Sequence, residues 1–205
     1  MPKILVLAEH DAGQLKLATL SAMGFAAKVC AEKGGSYDVL ILGEGIAAAA
    51  ELLRGYGAAS VLVADHAALK APLADKYAHV IDEVARAQNA TMVVGAASTF
   101  SKDILPRAAA LLDAGMISDV IEVRPDGDDF IFRRVMFAGN VIATVKLDGA
   151  LKFLTVRSAA FTPPAKTVEV SPLTPAALVV EKLPSQIEFI GSEAKVAGRP
   201  DSTEA

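Results

Sequence analysis

Apolar runs at residues 4–8, 37–42, 60–64 and 91–95 punctuate the first half of the chain, and within each the apolar residues follow one another rather than alternating with polar ones. Unbroken runs of this kind suit strands covered on both faces, as in a parallel sheet. Between them lie Ala-rich segments at 15–30, 46–54, 73–88 and 102–113. In the third of these, Leu73, Tyr77, Val80, Ile81 and Val84 recur at three- and four-residue steps, which puts them on one stripe of a helix. Strands alternating with helices over short links predict an α/β fold, a doubly wound, mostly parallel sheet with right-handed crossovers.

After Asp113 the pattern changes. Residues 117–124, 130–137, 141–147 and 151–157 read as four strands with no room for helices between them. Asp126-Gly127-Asp128-Asp129 is turn material, since Asp and Gly tolerate left-handed backbone, and Asp148-Gly149 marks a second tight turn. An antiparallel meander over 117–157, extending the edge of the parallel sheet, is therefore expected. Past Phe161, prolines 163, 164, 172, 175, 184 and 200 break up a stretch with few apolar anchors. That predicts an extended Pro-rich arm over 162–205, with one last strand around 178–183. The domain reading is thus an α/β unit at 1–161, built of βα units to residue 113 and antiparallel strands at 117–157, followed by the arm.

Composition narrows the function classes. Apolar residues make up 53% of the chain but aromatic ones only 5%, so small side chains and close backbone packing are implied. No apolar run approaches the ~18 residues that a membrane helix needs, so no membrane insertion is expected. The net charge of -4 comes from mixed signs without a basic stripe, which argues against nucleic acid as a partner. The single cysteine, Cys30, excludes an internal disulfide and fits a reducing compartment. In its Ala-rich setting it reads as a small packed hydrophobe. The opening Met1-Pro-Lys-Ile-Leu-Val-Leu enters an apolar run directly, without the charged start of a secretory signal or the Arg/Ser-rich character of a transit peptide. A bacterial-type cytoplasmic location is expected.

Ligands of open α/β sheets bind outside the carboxyl ends of the strands, here the loops at 9–14, 43–45, 64–66 and 96–102. Glu9-His10-Asp11 offers two acids and an imidazole, a candidate acid/base set or weak metal site. Adjacent residues on a turn rarely point to one centre, however, and no second His/Cys cluster completes a coordination shell. A solvated hydrogen-bonding turn is the preferred reading, and isolated His66 and His79 read as surface or packing residues. Gly43-Glu44-Gly45 resembles a phosphate loop but lacks the third glycine of G-x-G-x-x-G and carries an acid that repels phosphate. The most suggestive loop holds Ser98, Thr99, Ser101 and Lys102, where hydroxyls precede a helix starting near Lys102 or Asp103. Such an amino terminus can hold an anion or meet a partner, yet Ser101 or Thr99 also serves as a plain helix cap. No G-x-S-x-G elbow is present, and no histidine is placed to activate Ser98 or Ser101. No catalytic and no metal-ligating residues are assigned. A free-standing adenine-nucleotide-binding domain stays open as an alternative.

Several blocks in order along the chain carry a resemblance. Residues 97–119, ASTFSKDILPRAAALLDAGMISD, are similar to a T-x-x-G-K-D-x-x-P-R-x-A-x-x-L segment ending in I-S-D in the electron-transfer flavoprotein alpha family. Phe137-Ala-Gly-Asn-Val-Ile-Ala-Thr-Val145 is similar to that family's Y-A-G-N-A-[IL]-A-T-V. Leu154-Thr-Val-Arg157, Ala160-Phe161, the opening 4–11 and the end 198–205 continue the match. The chain departs at Ser101, where the family has Gly, and at Arg133-Arg134-Val135-Met136, where some alpha subunits have R-P-x-Y. The resemblance implies the amino-terminal domain of an alpha subunit with an adenine-nucleotide-hydrolase-like fold and a structural, subunit-association role. The intact heterodimer would pair it with the beta subunit and carry electrons from acyl-CoA and other dehydrogenases to a quinone-linked acceptor. FAD would be held by a glycine-rich V-V-S-G-G-R-G domain beyond Ala205, so the resemblance assigns no FAD residue and no cofactor to this chain alone. It also implies that the adenine-nucleotide site lies in the beta subunit, with the alpha copy vacant.

Overall fold

The computed structural model describes residues 1–193. Its strands are β1 (Lys3–Leu7), β2 (His10–Asp11), β3 (Gln14–Leu15), β4 (Ser36–Gly43), β5 (Ser60–Asp65), β6 (Met92–Ala96), β7 (Gly115–Asp126), β8 (Asp129–Met136), β9 (Val141–Val145), β10 (Lys152–Val156) and β11 (Leu173–Pro175). Helices α1 (Ala18–Lys33), α2 (Ala47–Leu53), α3 (Ala74–Ala87) and α4 (Thr99–Leu111) connect the parallel strands. Nine strands form one sheet in the order β11-β5-β4-β1-β6-β10-β7-β8-β9, while β2 and β3 make a separate two-stranded hairpin. The expected doubly wound, mostly parallel α/β fold is what the chain adopts.

Alternate side chains of each central strand go to opposite layers. Ile4, Val6, Val39, Ile41, Val94 and Leu154 pack with Phe25, Ala26 and Val29 of α1 and Ala49, Ala50 and Leu53 of α2. Leu5, Leu7, Leu40, Leu42, Val93 and Phe153 pack with Tyr77, Ile81 and Val84 of α3 and Ile104, Leu105 and Ala108 of α4. Both faces are thus covered, which is why the strand runs are apolar without alternation.

Three expectations are corrected. Strand β10 does not belong to the meander: it pairs in parallel with β6 on one side and β7 on the other, inside the sheet. The predicted strand at 178–183 is a single 3-10 turn over Val180–Lys182, and the last strand is β11 instead, parallel to β5. The first helix begins at Ala18 rather than residue 15, because Gln14 and Leu15 pair with Asp11 and His10.

Strand β7 doubles back. Its first residue, Gly115, pairs with Lys152, yet just past its far end Asp129 accepts a 3.2 Å ion pair from that same Lys152. Straight, twelve residues would span about 40 Å, so the strand must turn. The turn lies at Asp119, which has φ 59°, and the ladders on either side of the neighbouring Val120 both slip register there. Beyond this corner β7, β8 and β9 form the antiparallel meander, which buries Val123, Phe130 and Phe132 in the α1-side cluster.

The arm is tied to the domain at separated points. Phe161 packs edge-on against Phe25 with ring centroids 5.2 Å apart. Buried Ser171 donates its hydroxyl to Ala58 (2.7 Å) and Arg54 (3.0 Å) carbonyls, and the Arg54 Nε donates back to the Ser171 carbonyl at 2.7 Å. Farther on, Leu178 and Leu183 pack against the α3–α4 cluster. The block at 198–205 that carries part of the resemblance lies outside the described residues.

Candidate functional site

The carboxyl edge of the sheet divides into two halves. In the first, at the ends of β1, β4 and β5, the candidate residues are engaged with one another. The His10 ring lies over the end of β4, its Nε2 2.7 Å from the Leu42 carbonyl oxygen. Gly43 makes room for it, since a Cβ there would come within 2.7 Å of that nitrogen. The Asp65 carboxylate accepts from the backbone N–H groups of Gly45 (2.7 Å) and Ile46 (3.1 Å). Those are the donors a phosphate loop would offer, and an anion of the chain's own already takes them. Glu9 keeps a buried Oε2 without a hydrogen-bond partner, while exposed Asp11 faces Lys16 at 3.8 Å. Glu9, His10 and Asp11 therefore do not converge. Among the described residues, no three His, Cys, Asp or Glu side chains gather where a metal could bind. His66 caps a short 3-10 turn by accepting from the Ala68 N–H, and His79 Nδ1 lies 2.8 Å from the Asp75 carbonyl. Cys30 is half-buried, and desolvation raises its thiol above the ordinary value, which suppresses the nucleophilic thiolate.

The loop after β6 resolves differently from a single cluster. Helix α4 starts at Thr99, three residues earlier than predicted, because Ser98 is its cap and accepts from the Ser101 N–H at 3.2 Å. Ser101 points inward with an unpartnered buried hydroxyl against Gly95, whereas Thr99 and Lys102 lie exposed. The four residues do not face one another.

The second half of the edge is concave. Because β10 is parallel to β6, its end at Arg157 lies beside the Ser98 loop, and the Ala97 N–H donates to the Val156 carbonyl at 2.8 Å. Arg157 then reaches the β7 corner, where its Nε and Nη2 donate to the two Asp119 oxygens at 3.2 and 2.5 Å. The Arg157 hydrogen bonds hold the Asp119 carboxyl below the usual carboxylate range, against some opposing desolvation, with Lys102 and Arg134 adding to the effect. Next to this pair is a cavity of about 530 Å³ lined by Asp119, Arg134, Arg157 and the stretch from Val135 to Gly139. Phe137 and Ala138 have φ of 50° and 52°, so the 3-10 turn that walls the cavity is left-handed at two non-glycine residues. Such backbone persists where the surroundings over-determine it and clusters at functional sites. Three separate sequence blocks, Ile117-Ser-Asp119, Phe137-Ala-Gly-Asn140 and Thr155-Val-Arg157, meet here. Each is one part of the resemblance; their convergence depends on the Asp119 corner and on β10 lying inside the sheet.

The family model described as "Electron transfer flavoprotein domain" matches residues 4–178. The chain belongs to that family. It is 41% identical over 160 residues to an electron transfer flavoprotein subunit alpha of Pseudomonas aeruginosa, covering 77% of this chain and 48% of that relative. A probable mitochondrial electron transfer flavoprotein subunit alpha of Caenorhabditis elegans is 34% identical over 204 residues, covering 96% of this chain and 57% of that protein. The Bacillus subtilis subunit alpha is 34% identical over 155 residues, covering 76% of this chain and 47% of that relative. The chain thus spans about half the length of the curated relatives it matches. Among the described residues, no helix is long and apolar enough to cross a membrane.

Proposed function

We propose that the chain is the scaffold and subunit-association domain of an electron-transfer flavoprotein alpha subunit, an electron-carrier component with no catalysis of its own. The observation that carries this is the contrast between the two edges of the nine-stranded sheet. Open strand edges invite pairing with another chain, and natural proteins blunt them with short strands, proline or charge. At one edge β11 is three residues long, ends in Pro175 and follows Pro172. At the other, β9 reads Val-Ile-Ala-Thr-Val, pairs among the described residues only with β8, and contains neither proline nor charge. Val141 and Ile142 are about half exposed and Phe137 next to them is 71% exposed. An uncharged, largely apolar strand with one open edge suits β-strand addition by a partner.

That partner is the beta subunit, and the complex carries electrons from acyl-CoA and other dehydrogenases to a quinone-linked acceptor in the cytoplasm. FAD is held by the assembled complex rather than by this α/β domain. The loop after β4 supports this reading, because the Asp65 carboxylate already takes the Gly45 and Ile46 N–H donors that a phosphate would need. Purified alone, the chain is expected to be colourless; mixed with its beta subunit it should elute as a one-to-one complex. Stoichiometric FAD retained by the chain alone would refute this reading.

A further inference from the structure

We infer that the cavity at the β7 corner is an acceptor socket for one carboxylate side chain of the beta subunit, gripped by Arg134; this rests on the docking of that subunit along β9. The charge balance comes first. Around the Asp119 carboxylate lie three cations, Arg157, Lys102 and Arg134. Arg157 spends both Nε and Nη2 on Asp119 and is a fixed wall rather than a free ligand. Arg134 has no ion pair within the described residues, and its Nε is buried without a hydrogen-bond partner. Of the two arginines that line the cavity, Arg134 is thus the one whose guanidinium is not committed to a carboxylate among the described residues. Its planar fork fits a carboxylate bidentately.

Position identifies the source. Arg134 is on β8 opposite Ala143 of β9, and the cavity wall from Val135 to Gly139 runs directly into Val141. A strand added to the free edge of β9 would therefore bring its flanking residues to the mouth of the socket. The chain's own arm pairs with β5 at the opposite end of the sheet, and its Leu178 and Leu183 pack on the α3–α4 side. Exposed Phe137 and half-exposed Ile142 beside the opening supply the apolar surround that excludes water from such a pair.

The test uses the chain with its beta subunit, comparing dissociation constants at low and high salt for the unaltered chain, Arg134→Gln, Arg134→Lys and Ile142→Asp. Removing one partner of a buried hydrogen-bonded charge pair costs 2 kcal/mol or more, so Arg134→Gln should weaken binding about 30-fold or more, with partial recovery in Arg134→Lys. A single Asp→Asn or Glu→Gln change in the beta subunit should reproduce the loss and add nothing to Arg134→Gln. Should Ile142→Asp abolish association while Arg134→Gln binds as the unaltered chain does, the socket is wrong and the β9 docking stands. If neither weakens binding, the β9 docking fails and the socket with it. If inorganic phosphate binds the isolated chain in an Arg134-dependent way while Arg134→Gln leaves subunit affinity unchanged, the cavity belongs to a small anion and the inference is overturned.

Discussion

Phe153→Ala is expected to destabilise the protein by about 3–5 kcal/mol, the range for truncating a fully buried phenylalanine. The size follows from where β10 lies. Phe153 is completely buried, facing the α3–α4 layer, and its strand is hydrogen-bonded on both sides, to β6 and to β7. Neither neighbour can close in to fill the void, so the transfer loss and the cavity cost add. Against a total stability of roughly 5–15 kcal/mol, one substitution would remove a large share. Urea unfolding should show the midpoint fall with an unchanged slope. Had β10 been the outer strand of a meander, as its sequence position suggests, the same change would cost far less. A measured loss under about 1 kcal/mol would therefore contradict the topology as well as the packing.

The second large effect is Gly24→Ala, and its sign is the informative part. In a solvated helix interior this exchange stabilises by about 1 kcal/mol through propensity alone. Here a Cβ on Gly24 would lie 2.1 Å from the Thr162 carbonyl oxygen and 2.9 Å from its carbon. Both are backbone atoms that cannot rotate aside, so α1 and the start of the arm must separate. Overpacking costs about 1–3 kcal/mol, and the separation also pulls Phe161 from its contact with Phe25. The expected outcome is net destabilisation together with faster protease cleavage around residues 162–170. Stabilisation with an unchanged cleavage pattern would show that the arm does not cross α1 there.

Much of the architecture was legible in the sequence, because local periodicity reports local structure. The four unbroken apolar runs and the stripe Leu73, Tyr77, Val80, Ile81, Val84 point to the strands and to α3 without ambiguity. What failed was non-local. Strand β10 follows β9 after a short connection with Asp148-Gly149, and proximity suggested a hairpin. Its buried residues instead read Lys-Phe-Leu-Thr-Val with no alternation, and that was the available sign of a strand covered on both faces. Lys152 obscured it, a charged residue buried on the strand because Asp129 and the Gly149 carbonyl satisfy its ammonium. The start of α4 was missed because several hydroxyl residues competed for the cap, and only tertiary packing, with Ser101 against Gly95, decides for Ser98.

The candidate site was less legible still. Ser98, Thr99, Ser101 and Lys102 drew notice as a loop full of donors, yet their side chains diverge. The residues that do meet, Asp119, Arg134 and Arg157, are far apart in sequence and belong to three different strands or strand ends. No spacing rule links them. The left-handed Asp119 could have been suspected, since Asp adopts that backbone more readily than most residues, but nothing local shows that a strand turns back at it. The repetition of the same three blocks in the resemblance was the one usable signal.

The central claim is that β9 is an edge kept open for another subunit. Amide hydrogen exchange on the chain, with and without the beta subunit, tests it directly. In the complex, exchange over residues 141–145 is expected to slow strongly, while the edge at 173–175 stays as it was. A formed complex in which residues 141–145 exchange at the rate of the free chain would contradict the account.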